Sequence, residues 1–435
     1  MIVVLTLLSI GSPDGGPLPA DSGPASAVAD GGVARAEPRR KDRFRIVYDV
    51  RLVPNERLAK VEIQLENRGR IARVELTATP GQHLDFSGDG LVDVKESGLV
   101  TWSPPTEQGV LRFSTRIEHT RNDQSYDARC ASEWALFRGD DLIPRIKARR
   151  KKDASGRAEL RFTLPKGWDV ETPYKRKKGA PDVFVLPTSD RAFARPTGWI
   201  MAGRIRSSSE RIGDVDVTVA APETRGLHRQ EILSFLRWTM PEVVKLFGRL
   251  PPRLLIVGAG DPMWRGGLSA PASLFLHRDR PLVEDDGSSP LLHELVHVAS
   301  EAQASEDGDW FVEGLAELYS IELLYRAGGL TDARRKEALA AQIKRAKKAG
   351  TLTSGPANGA MTGRAVQVLA NLDREIRAAT SNTKSLDDVL RQISGREDAL
   401  STDQFRLSVE GVAGRSFAAF FAEEISKQPS PSKAP

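Results

Sequence analysis

The 435-residue chain changes its hydrophobic period near its middle. From about residue 41 to 220, short segments alternate apolar and polar positions, as in "FRIVYDVRLV", "AKVEIQLEN", "ARVELTAT", "VLRFSTRIEH", "AELRFTLP" and "DVFVLP", with Gly, Pro, Asn and Asp between them. A period of two sends every second side chain to one face, so these segments predict antiparallel strands with one buried side, a β-sandwich-like domain. From about 221 to 426 the apolar positions recur every three or four residues, in "RQEILSFLRWTMPEVVKLFG", "WFVEGLAELYSIELLYRAGG", "DARRKEALAAQIKRAKKAG", "GRAVQVLANLDREIRAA" and "SLDDVLRQIS". That spacing predicts helices. Two apolar runs among them, "PRLLIVGAG" and "ASLFLHRD", predict strands. The expected architecture is therefore α+β and multidomain: an all-β unit over 41–220, then a mostly helical domain with a small sheet over 221–426.

The ends fit neither pattern. Residues 1–40 open with "MIVVLTLLSI", too short to span a bilayer, and continue through a Gly/Pro/Ala/Ser-rich stretch. The expectation is a signal segment with a flexible linker, and hence an exported, periplasmic or extracellular protein. Residues 427–435, "KQPSPSKAP", read as a disordered tail. No other run is apolar enough for stable membrane insertion. A content of 40% hydrophobic and 28% charged residues fits a folded chain rather than a disordered one. The single Cys130 excludes an internal disulfide. The net charge of +5 gathers in "RIKARRKK" (145–152) and "YKRKK" (174–178). No aromatic residues interleave with these runs as stacking on nucleic acid requires, so they read as solvated surface and no nucleic-acid partner is expected.

Polar residues inside an apolar helix change the picture. In "SPLLHELVHV" (289–298), Ser289 suits an N-cap and Pro290 the first turn, so a helix starts there. His293 and His297, four residues apart, then project from one face, as two imidazoles must to share one tetrahedral zinc. Leu291, Leu292, Leu295, Val296 and Val298 cover much of the rest. Burying two imidazoles and a carboxylate among them is unfavourable without partners. A metal supplies those partners and leaves Glu294 free to take a proton from an activated water. A third ligand is expected from the next helix, where "DWFVEGLAELYS" offers Glu313 and Glu317 on one face. Either can reach the metal. Gly314, read as the point where the two helices approach, favours Glu313 as ligand and leaves Glu317 to fix a ligand histidine from behind.

With these residues in view, "HELVH" followed by "WFVEGLAEL" resembles the zinc site of the gluzincin metallopeptidases, in particular the glycyl-aminopeptidase family and its aminopeptidase N relatives. The resemblance implies an all-β domain ahead of a thermolysin-like zinc peptidase domain, one zinc ion held by His293, His297 and Glu313, Glu294 as general base, and a peptide or protein substrate. It also makes "GGLSAPASLFL" (266–276) the substrate strand, with Gly266, Gly267, Leu268 and Ser269 along the cleft. Two departures accompany it. The family's glutamate that binds a free amino terminus is replaced by Ser269, so aminopeptidase specificity does not follow. The tyrosine that stabilises the tetrahedral intermediate is replaced by Thr362 in "TGRA", and the chain has no Tyr or His after Tyr325. Losing such a donor commonly costs about two to three orders of magnitude in turnover. Arg364 ranks first as a replacement, ahead of His277 and Tyr319; His83, His119 and His228 read as structural or solvated. The rival reading is an impaired or inactive peptidase fold used as a peptide-binding scaffold.

Overall fold

Three sheets share the core of the first half. In the computed structural model, which describes residues 43–426 except 153, 188–192, 225, 347–348, 354–357 and 397, a seven-stranded sheet built around Arg43–Val53, Leu58–Glu66 and Gln108–Arg116 is joined by a four-stranded sheet containing Ile71–Thr77 and Leu99–Ser103. A five-stranded sheet containing Trp134–Arg138 and Trp199–Gly203 completes it. Their inward residues, among them Tyr48, Ile63, Trp102, Phe137 and Ile200, form one buried cluster. Alternation along Leu58–Glu66 makes every second residue buried, as the period of two requires. The pairing is mostly antiparallel, but Arg43–Val53 and Ser155–Thr163 run parallel. The expected leader and tail lie outside the described residues, and no described helix is long and apolar enough to cross a membrane.

The boundary between the halves falls earlier than the expected 220/221. Strands Ile205–Ile212 and Val215–Pro222 hydrogen-bond not to the β-half but into a second five-stranded sheet with Arg253–Val257, Ser273–Leu276 and, at its edge, Gly267–Ala270. Strand periodicity cannot tell which sheet a strand joins, because the alternation is the same in both. The halves also share a core. Strand Trp199–Gly203 is buried throughout: Ile200 and Ala202 face the β-half, while Trp199 and Met201 face Val257, Met263 and Phe275 of the second sheet. The Trp199 indole N–H donates to the Leu268 carbonyl at 2.9 Å, so a residue of the first half fixes the edge strand of the second.

Helices follow. After the short α1 (Gly139–Leu142) come α2 (Arg229–Phe247), α3 (Pro290–Ser300), α4 (Asp309–Arg326), α5 (Asp332–Ala346), α6 (Gly359–Ala379), α7 (Leu386–Ile393), α8 (Thr402–Ala413) and α9 (Ala418–Ser426). Helix α3 begins as its sequence demands, with the Ser289 side chain accepting from the Leu292 N–H and Pro290 at the first turn. It ends where Glu301 takes a left-handed conformation, φ 50°. Gly314 is a correction. A Cβ there would lie 2.5 Å from Cβ of Ala365, so the close approach it permits is between α4 and α6, not between α4 and α3.

Helix α4 is anchored at both ends. At its start, the Trp310 indole donates to Thr402 Oγ1 at 3.0 Å, while Asp307 accepts from the Thr402 N–H, so α8 holds the turn that launches α4. At its far end, Asp387 accepts from Tyr319 Oη at 2.7 Å and from both Arg326 Nη atoms at 2.9 Å. Burial disfavours the charged Asp387, but the Arg326 fork and the Tyr319 hydroxyl outweigh it and hold the carboxyl below its usual range. A depressed folded pKa contributes stability above the unfolded value near 3.9, and that contribution fades as pH falls through the lowered value. Asp387→Asn should therefore cost about 2–3 kcal/mol at pH 7. In denaturant titrations, its deficit against the parent should shrink once the pH drops below about 4.

Candidate metal centre and cleft

Helices α3 and α4 bring three candidate ligands to one point. His293 Nε2 and His297 Nε2 lie 3.2 Å apart. Glu313 Oε2 is 3.4 Å from the first and Glu313 Oε1 is 3.5 Å from the second. The ligand atoms all lie within 4.8 Å of one another. Two bonds of about 2.0–2.1 Å at a tetrahedral angle place their ends about 3.3–3.4 Å apart, so the spacing fits one cation of zinc's size. Two imidazoles and a carboxylate are also the donors zinc prefers in sites that keep a fourth position open.

Behind the cluster, His293 Nδ1 lies 3.1 Å from Glu317 Oε2. With Nδ1–H donating to that carboxylate, the Nε2 lone pair points into the cluster. Glu317 accepts a second bond at Oε1 from Gln342 Nε2 of α5, 2.6 Å away. Periodicity identified α5 as a helix but gave no hint of this role. The available signal was small: Ala338, Gln342 and Ala346 form the buried stripe of α5, and one member is polar.

The charges in the cluster are distributed unevenly. Burial works against a protonated His293, yet Glu313 and Glu317 on either side outweigh it and hold its pKa well above the usual histidine range. His297 is pushed by burial, and by the charged His293, down to about 4. Glu313, although burial opposes its charge, is held at about 2 by its bond from His293. A cation held here would take both imidazoles in their neutral form.

Glu294 stands beside the cluster. It is 9% exposed, and burial pushes its carboxyl up to about 7. Its side chain lies against the edge strand Gly267–Ala270: a Cβ on Gly267 would fall 2.6 Å from Glu294 Cγ, and Ser269 presents its N–H and hydroxyl to the carboxylate. Gly267 is thus needed for the contact itself, not for a turn. A cleft of about 900 Å³ opens over these residues, lined also by Gly266, Leu268 and Thr362. One wall was not foreseen: Trp264, capped by the Arg121 guanidinium at 3.8 Å, belongs to the cleft through the β-half hairpin that carries Arg121.

Arg364 is the main correction to the expected site. It is 7% exposed and turned away from the cleft, donating to Gln367 within α6 and to Glu424 of α9. With α9 unrecognised in the sequence, its partner was invisible. Thr362 does line the cleft, but its hydroxyl donates back to the Asn358 carbonyl one turn earlier. His277 is fully buried, with Nδ1 accepting from the Asp279 N–H, and Tyr319 is committed to Asp387. His83 is buried between Thr79 and Asp141, while His119 and His228 are exposed.

No protein-family model and no curated protein sequence matches the chain. Solved structures do. An aminopeptidase N family protein from Idiomarina loihiensis superposes with a TM-score of 0.68 at 14% identity, over 89% of this chain and 77% of that one. An M1 zinc metallopeptidase mutant from Deinococcus radiodurans, bound to a Tyr-Ser-Ala substrate, superposes with a TM-score of 0.59 at 13% identity, over 90% of this chain and 95% of that one. The chain has the fold of the M1 zinc metallopeptidases. This M1 fold agrees with the gluzincin resemblance carried by "HELVH" and "WFVEGLAEL".

Proposed function

We propose that the chain is a zinc-dependent peptidase that hydrolyses peptide bonds with Glu294 as general base. The observation that carries this reading is the convergence of His293, His297 and Glu313 at 3.2–3.5 Å, with a buried, raised-pKa carboxyl beside it on the open edge of a sheet. His293, His297 and Glu313 would hold the ion. When bound, zinc acidifies water and polarises a carbonyl. Glu294 takes the proton from the attacking water and delivers it to the leaving nitrogen. The free edge of Gly267–Ala270 aligns an extended peptide by strand addition.

The side chain nearest Glu294 on that strand is Ser269, neutral and turned towards the base. With no carboxylate at this position to hold a free amino terminus, cleavage should not require one, and peptides with a blocked amino terminus should be turned over as well as free ones. Turnover should be modest. Thr362 spends its hydroxyl on Asn358 and Arg364 faces α9, so α6 supplies neither residue as an oxyanion donor.

The Gly267 contact gives a test that separates positioning from metal binding. Gly267→Ala should push the Glu294 carboxylate aside and lower kcat/KM by about 100-fold. Zinc affinity should stay within about twofold of the parent, since no ligand is touched. Equal losses of zinc and activity would count against the assignment of Glu294. The full reading is tested by zinc stoichiometry together with hydrolysis of a mixed library of free and blocked peptides; one bound zinc with no cleavage would favour a peptide-binding scaffold instead.

A further inference from the structure

Gln342 is a buried amide, 1% exposed, at the wall of the cleft and on a helix whose other buried positions are Ala338 and Ala346. A primary amide in such a stripe is unfavourable unless its hydrogen bonds are met. Both ends are met, and each fixes the other. Its Oε1 accepts from Arg345 Nη1 at 3.4 Å, which leaves Nε2 to donate to Glu317 Oε1 at 2.6 Å. Glu317 Oε2 faces His293 Nδ1 at 3.1 Å. Both carboxylate oxygens of Glu317 are therefore committed, Oε1 to the amide, with Arg345 Nη1 further off at 3.9 Å, and Oε2 to the imidazole, so the carboxylate cannot rotate without breaking a hydrogen bond. Arg345 is held in turn by Asp286, which accepts from the Ser288 N–H and hydroxyl just ahead of the α3 N-cap. The chain of contacts runs from the loop before α3, through α5, to the back of the histidine and ends at the metal cluster.

We infer that Gln342 is a positioning residue for the metal centre: by pinning Glu317, it sets the ring plane and tautomer of His293 and so the affinity of the site. The inference rests on the zinc reading above and extends it to a residue outside both motifs. Outer partners of ligand histidines commonly change metal affinity by 10–100-fold when removed. Gln342 acts one bond further out, so the lower end of that range is expected.

The experiment is a chelator competition for zinc on the full chain, with the visible spectrum of the cobalt-substituted protein as a second readout. Gln342→Met keeps the volume and removes the donor; its zinc dissociation constant should rise about tenfold and its cobalt bands should shift. Arg345→Gln frees the amide to turn and also removes the Arg345 Nη1–Glu317 Oε1 ion pair at 3.9 Å, so it should produce a change of the same kind without isolating the amide. Arg335→Gln is the control for α5 itself, because Arg335 sits on the same helix and pairs with Glu322 away from the cluster. Zinc affinity within twofold of the parent in Gln342→Met, with unchanged cobalt bands, overturns the inference. So does an equal loss in Arg335→Gln, which would trace the effect to helix packing. If Gln342→Met does not fold, Gln342→Leu against Arg335→Gln decides by the same criterion. No zinc bound by the parent overturns the metal reading and this inference together, whereas zinc bound without peptide cleavage leaves the inference standing.

Discussion

Glu294→Gln should leave the chain folded and zinc-loaded while lowering peptide hydrolysis by about three orders of magnitude. The glutamine matches the carboxylate in shape and keeps the contact with Gly267, so the edge strand has no reason to move. It cannot accept the proton of the attacking water, and a positioned acid–base group is typically worth 10²–10⁴-fold in rate. Replacing the buried carboxyl by a neutral amide also removes a desolvation cost, since burial is what pushes Glu294 up to about 7. The apo variant should therefore unfold no earlier than the parent. A substantial loss of zinc in this variant would mean that Glu294 is a ligand, contrary to its place beside the cluster rather than in it.

Glu313→Ala is expected to have the opposite signature: zinc is lost first, and activity with it. Removing one of three ligands should weaken zinc by more than the 10–100-fold typical of outer partners. The readout need not be catalytic. A ligand that binds only the folded chain stabilises it by RT ln(1 + [L]/Kd), so zinc at 100 times its Kd adds about 2.7 kcal/mol to the parent. That zinc-dependent gain in Tm should disappear in Glu313→Ala. The variant also strips His293 of one of the carboxylates that raise its pKa, leaving Glu317 and the nearby Glu294. A parent and variant with the same zinc-dependent shift in Tm would remove Glu313 from the ligand set.

The parts of this site that could be read in the sequence were those encoded by local spacing. His293 and His297 share a face because a helix repeats every 3.6 residues, and Ser289–Pro290 fixes where that helix starts. Glu313 and Glu317 follow from the same repeat in α4. What the sequence did not yield depends on contacts between distant segments. The strands at 205–222 have ordinary alternation, and only their pairing with Arg253–Val257 assigns them to the second sheet. The role of Arg364 was misjudged because Glu424 is 60 residues away on α9. Helices α8 and α9 were not anticipated, although Ser401 and Gln404 form a capping box that marks the start of α8. Gln342 was hidden because a polar residue in a charged helix stands out only after its neighbours show that it faces inward.

The most direct test of the central claim is hydrolysis of a mixed peptide library by the full chain, measured with the metal removed by a chelator and again after one equivalent of zinc is restored. Slow cleavage should disappear with the metal, return with zinc at one ion per chain, and be about three orders of magnitude slower in Glu294→Gln under the same conditions. Cleavage that survives complete removal of the metal, or cleavage by the zinc-loaded Glu294→Gln at the parent's rate, would contradict that claim.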